Sequence, residues 1–126
     1  MKLHFRAIYL ALAGILALTV AASAAFARTA KSPTLTGTVG PSFTISLKQN
    51  GKTVKSLKAG KYTFKVTDKA TIHNFVLEKE HSKFEKEITD VSDTGTKTVT
   101  INLTKGTWKY YCAPHESTMN GTFKVT

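Results

Sequence analysis

The chain reads as an all-β protein, a Greek-key sandwich of two sheets, on three observations. Apolar and polar residues alternate in short runs, as in Phe43-Thr44-Ile45-Ser46-Leu47 and Tyr62-Thr63-Phe64-Lys65-Val66. Turn residues punctuate these runs at intervals of roughly 8 to 12 residues, the spacing of a sandwich. Threonine, whose β-branched side chain suits strands, supplies 19 of the 99 residues from Arg28 to Thr126. Within that stretch no segment keeps a 3.6-residue period for long, and no repeat or low-complexity tract occurs.

Met1 to Ala27 precedes the fold. Lys2 and Arg6 form a charged start, Ala7 to Val20 an uncharged apolar stretch, and Ala25-Phe26-Ala27 a small-x-small cleavage pattern. Residues 1–27 therefore read as a secretory signal peptide cut after Ala27. The other reading is an uncleaved membrane anchor, since Ala7 to Ala27 runs 21 residues without a charge. The small-residue run Ala21-Ala22-Ser23-Ala24-Ala25 favours cleavage. The mature protein is expected to be exported, periplasmic or extracellular, with no stable membrane insertion.

Residues 28–33 are expected to be a mobile lead, and residues 34–126 one domain. Thr34 to Val39 is the first strand, ended by Gly40-Pro41. In the second, Phe43, Ile45 and Leu47 share one face. Gln49-Asn50-Gly51-Lys52 carries the signal for a tight hairpin, with Thr53 to Leu57 as the returning strand. Ala59-Gly60-Lys61 turns into Tyr62 to Val66, with Tyr62, Phe64 and Val66 inward. Ile72 to Glu78 reads as a strand. The charged stretch Glu80 to Asp93 reads as irregular, with a short helix around Lys83 to Ile88. Thr98 to Leu103 alternates, Lys105-Gly106 turns into Thr107 to Cys112, and Thr122 to Thr126 closes the chain.

At 126 residues the chain has room for one domain, which excludes a multidomain enzyme. A single cysteine excludes a disulfide-stapled miniprotein. In an exported protein a lone thiol needs an occupant: an intermolecular bridge, a free reactive role or a metal. Cys112, His115 and Met119 place a thiol, an imidazole and a thioether within eight residues, on a loop joining two strands. Thiolate and thioether are soft ligands and imidazole suits copper. A trigonal pair of histidines and a cysteine with a long axial methionine is the arrangement of copper electron-transfer sites.

Such a set needs a second histidine. His73 lies in Thr71-Ile72-His73-Asn74-Phe75-Val76-Leu77, on the face of Phe75 and Leu77, where its ring nitrogens need partners. Alone it would read as a satisfied core histidine; beside the other three groups it reads as a ligand. His81, among Glu80, Ser82 and Lys83, reads as a solvated surface residue, and His4 belongs to the removed segment.

His73-Asn74, then Tyr110-Tyr111-Cys112-Ala113-Pro114-His115, then Met119-Asn120-Gly121, resembles the cupredoxins, in the branch of plastocyanin, pseudoazurin and amicyanin. Gly106-Thr107-Trp108-Lys109-Tyr110-Tyr111-Cys112 matches the family's Gly-x-aromatic-x-aromatic-aromatic-Cys approach strand, and the resemblance runs from about Val39 to Thr126. It implies His73, Cys112 and His115 as equatorial ligands of one type-1 copper ion and Met119 as axial ligand. It also implies that Asn74 hydrogen-bonds to the cysteine loop, a supporting role without metal contact. One departure stands out: His115 and Met119 are separated by three residues, where plastocyanins have four and amicyanins two. Loop length sets how closely the thioether approaches.

The function implied is a blue copper protein carrying single electrons outside the cytoplasm. A copper carrier or buffer without an electron-transfer partner is the alternative, although its usual Met-rich or His-rich loops are missing. A zinc-bound or metal-free sandwich is a third reading, in which Met119 has no use. No enzyme activity is expected, for the chain lacks a haem-attachment motif, a cysteine cluster and a Gly-rich phosphate loop.

Lys and Arg number 18 against 8 Asp and Glu, a formal net charge of +10. The lysines Lys48, Lys52, Lys55, Lys58, Lys61 and Lys65 gather around the hairpin, while Glu78, Glu80, Glu85, Glu87, Asp90 and Asp93 gather in the middle. A basic surface of this kind is solvated and blunts sheet edges, and it suits steering of an acidic redox partner protein. No nucleic acid is expected, since basic-aromatic recognition motifs are missing. A monomer is expected.

Overall fold

The computed structural model of the chain describes residues 29–126, so the signal-peptide expectation lies outside the described residues. Alternation along the strands gives each an inward face, and the strands pair into two sheets. The first holds β1 (Thr34–Val39), β2 (Ile45–Gln49), β3 (Lys52–Thr53), β5 (Gly60–Asp68) and β8 (Gly95–Leu103), in the order β3-β2-β1-β5-β8. The second holds β4 (Ser56–Leu57), β6 (Phe75–Lys79), β7 (Glu85–Thr89), β9 (Gly106–Tyr111) and β10 (Asn120–Val125), in the order β4-β10-β9-β6-β7. Both sheets are mixed. β1 runs parallel to β5 and β4 parallel to β10, while the other pairings are antiparallel. Strands distant in sequence lie side by side, as β1 with β5 and β6 with β9, which are crossovers of the kind a Greek-key sandwich requires.

The two inner faces meet in one apolar cluster. Leu35, Val39, Leu47, Phe64 and Val66 from the first sheet pack with Phe75, Leu77, Trp108, Tyr110 and Phe123 from the second. Each large apolar side chain removed from water in this way is worth about 1.5–3 kcal/mol. Polar tips within the cluster find partners: Trp108 Nε1 donates to the Thr104 carbonyl at 2.9 Å, and the Tyr62 hydroxyl to the Lys58 carbonyl at 2.9 Å. Tyr62, Phe64 and Val66 are buried as their alternation requires.

The hairpin turn forms where Asn50-Gly51 predicts it. Both residues have positive φ, 49° and 78°, and Gln49 pairs with Lys52 across the turn. The returning segment differs from the single strand expected over Thr53 to Leu57. β3 stops at Thr53, buried Val54 marks the crossing, and β4 joins the opposite sheet beside β10.

Three further expectations are corrected. Lys83 to Ile88 contributes to strand β7, not to a short helix, because this segment pairs with β6 as a sheet edge. Its register shifts between Phe75 and Val76, so Phe75 faces Thr89 and Val76 faces Glu87. A bulge of this kind buries Ile88 and Thr89 in succession and hides the alternation. Phe43 precedes β2 in a loop and is 59% exposed, and Ile72 precedes β6 and is 51% exposed. Among the described residues no helix is long and apolar enough to cross a membrane.

Candidate metal centre

The site lies at one end of the sandwich, where three connections converge. Cys112 is the first residue after β9, fully buried, its direction set by the strand. Ala113–His115 forms a single 3₁₀ turn with Pro114 inside it, which swings His115 back beside the thiol; the His115 N–H donates to the Cys112 carbonyl at 3.1 Å. The loop then closes on itself. Met119 N–H donates to the His115 carbonyl at 2.9 Å, and Cys112 N–H to the Met119 carbonyl at 3.0 Å. Met119 is fully buried in the common core.

His73 comes from the opposite side, two residues before β6, and is fully buried. Its Nε2 lies 3.3 Å from the Pro41 carbonyl. A carbonyl can only accept, so this contact places the ring proton on Nε2 and leaves the Nδ1 lone pair facing Cys112. Gly40 makes room for the ring: its φ is +73°, and a Cβ there would lie 2.9 Å from His73 Cδ2.

Three donor atoms therefore meet. His73 Nδ1 and His115 Nδ1 are 3.1 Å apart, and Cys112 Sγ is 3.7 Å from the first and 3.6 Å from the second. A point equidistant from all three lies about 2.0 Å from each, the length of a metal–nitrogen bond and slightly less than a metal–sulfur bond. Two imidazoles and one thiol is a donor set that copper favours. The residues present fit such an ion. His81 is exposed at a turn, with φ 57°, and does not join the cluster.

Asn74, 1% exposed, ties the two halves together: its Oδ1 accepts the Ala113 N–H at 2.7 Å, and its Nδ2 donates to Glu87 Oε2 at 3.1 Å. Phe43 packs edge-on against both imidazoles, with ring centres 4.8 Å from His115 and 5.6 Å from His73. On the other face of β9 from the thiol, the Tyr111 hydroxyl donates to Glu85 Oε2 at 3.2 Å. Burial, and then the nearby negative charges of Glu85 and Glu78, push this phenol up to about 12.

Sequence reasoning missed a second support behind His73. Asp68, 2% exposed, accepts the Ala70 N–H at 3.1 Å and the Thr89 hydroxyl at 3.0 Å; that hydroxyl in turn accepts the Phe75 N–H at 2.9 Å. The ends of β5 and β7 and the start of β6 are joined by one buried carboxylate. A signal did exist, for Asp68 continues the inward phase of Tyr62, Phe64 and Val66. No such signal marks Pro41 or Glu87.

Residues 38–126 match the family of copper binding proteins of the plastocyanin/azurin type. Among solved structures, the fold is similar to the copper protein rusticyanin at a TM-score of 0.57 and 18% identity, covering 78% of this chain and 80% of that one. It is similar to auracyanin A, a blue copper protein of the green thermophilic photosynthetic bacterium Chloroflexus aurantiacus, at 0.53 and 18%, covering 76% and 100%. Rusticyanin from Thiobacillus ferrooxidans aligns at 0.50 and 22%, covering 78% and 79%. No curated protein sequence matches the chain.

Proposed function

The chain belongs to the plastocyanin/azurin family of copper-binding proteins and carries a type-1 copper site, and from that premise we propose that it is an exported one-electron carrier. Cupredoxins are in general electron carriers rather than enzymes. In this reading His73, Cys112 and His115 would hold the copper, and Met119 would be a fourth, weaker donor. The observation that carries it is the triangle of donors, 3.1, 3.6 and 3.7 Å on its edges, already closed around a metal-sized centre.

Copper, when bound, supplies a couple that gains or loses one electron. The chain's own residues supply the stiffness. Pro41 holds the His73 ring, Asn74 holds the cysteine loop, and the sandwich holds the strand leading to Cys112. Ligands held in one geometry for both oxidation states keep reorganisation small, and burial of the sulfur tunes the potential. His115 is the partly exposed ligand, so its edge is the contact point for a redox partner protein. Export is supported by the sequence of Met1 to Ala27.

An absorption spectrum of the purified mature protein with copper(II) tests the site: an intense visible band from the Cys112 thiolate is expected, and a colourless copper protein overturns the assignment. Stopped-flow reaction with a cytochrome or copper oxidase from the same source tests the carrier role. Rapid, saturable electron exchange supports it, and inert behaviour with an intact blue site makes the protein a copper buffer.

A further inference from the structure

Glu87 is an exposed residue of edge strand β7 and one of several surface acids. It nonetheless touches the frame of the metal centre. Its Oε2 accepts the Asn74 side-chain N–H at 3.1 Å, and Asn74 Oδ1 accepts the Ala113 N–H at 2.7 Å. The two ends of a side-chain amide differ in that one donates and the other accepts. A carboxylate can only accept, so it selects the Nδ2 end and leaves Oδ1 for Ala113. With the amide flipped, oxygen would face the carboxylate and Nδ2 would face an N–H, two repulsive contacts around a side chain only 1% exposed.

We propose that Glu87 is a positioning residue of the copper site: it fixes the orientation of the Asn74 amide and so holds the Cys112–His115 loop against the His73 segment before metal arrives. The relay is short. Glu87 lies opposite Val76 on β6, Asn74 directly precedes that strand, and Ala113 directly follows Cys112. Glu85 provides the contrast within β7. It is also exposed and charged, and it accepts from the Tyr111 hydroxyl instead. The inference rests on the copper reading for what the loop serves, but its test is read on metal-free protein, so its failure leaves that reading standing.

Amide hydrogen exchange of Ala113, followed by NMR in the metal-free mature protein, is the measurement. Glu87→Ala should speed exchange about fivefold, the effect of losing one ordinary hydrogen bond. Glu87→Gln keeps an acceptor at the same reach and should stay within about twofold of the parent. Glu85→Ala removes the same charge from the same strand and should leave Ala113 unchanged. The amides of Phe64 and Leu77, deep in the core, serve as reference. Unchanged protection in Glu87→Ala overturns the proposal. So does an equal loss in Glu85→Ala or Glu87→Gln, or a loss that Phe64 and Leu77 share.

Discussion

Met119 is the residue whose role depends most on a single interval. Three residues separate it from His115, and the turn spends them on two bonds: the Thr118 and Met119 N–H groups both donate to the His115 carbonyl, at 3.1 and 2.9 Å. That closure returns Met119 to the start of β10, its carbonyl bonded to Cys112 N–H. A thioether donates weakly and favours the softer, reduced ion, so an axial Met119 raises the potential relative to an oxygen donor. Cyclic voltammetry should therefore find Met119→Gln lower in potential and Met119→Leu higher, with copper kept by the other three; no change in either would make Met119 a packing residue. Tyr111 yields a pH prediction. An unfolded tyrosine ionises near 10, and burial pushes this one up to about 12 in the fold. Below pH 10 both states are protonated and the contribution is complete. Between 10 and about 12 the unfolded chain releases its proton while the native protein keeps it, which favours unfolding. Denaturant titrations should show the parent losing stability relative to Tyr111→Phe across that window and not below it.

Among the elements, β5, β6 and β7 matter most, because their ends share the carboxylate of Asp68. Asp68→Ala leaves the Thr89 hydroxyl and the Ala70 N–H without their acceptor inside a buried junction, at a cost of about 1–3 kcal/mol. Asp68→Asn keeps one acceptor oxygen and should cost less. Urea midpoints of the two variants test the order, and equal losses would mean the charge matters rather than the bonds. These same elements mark where a sequence becomes opaque. Alternation is local, so Tyr62, Phe64 and Val66 could be placed inward from their own spacing. Two of the three donors that meet were legible for a similar reason, since Cys112 and His115 sit on one loop and only His73 had to be brought from afar. β7 was misread because a bulge depends on the neighbouring strand: Ile88 and Thr89 are buried in succession only because β6 shifts register against them. Phe43 leaves the alternation because it packs against both imidazoles, and Ile72 because it sits in the exposed turn before β6. Glu87 was invisible as a support because nothing in its neighbours reports that Asn74 points at it.

For the whole molecule the question is whether metal builds the fold or enters a fold already built. The core joins large apolar side chains of both sheets, and Cys112 and Met119 are two members of that cluster among many. Among the described residues no buried side-chain nitrogen or oxygen lacks a hydrogen-bond partner. Outside the three donors, nothing in this arrangement waits for an ion, unlike a small zinc domain that unfolds without metal. Removing copper should therefore leave the far-UV circular dichroism unchanged. Copper should still stabilise, since a ligand that binds only the folded state adds about 2.7 kcal/mol at a concentration 100 times its Kd. For a domain of this size each kcal/mol is worth about 4–8 °C, so the loaded protein should melt roughly 10–20 °C above the metal-free one. Cys112→Ser separates the two contributions. Serine differs from cysteine by one atom, so the metal-free melting temperature should stay near the parent's, while most of the increment with copper disappears along with the colour. A metal-free protein without native circular dichroism would show instead that the sandwich is too weakly packed to hold the three donors in place by itself.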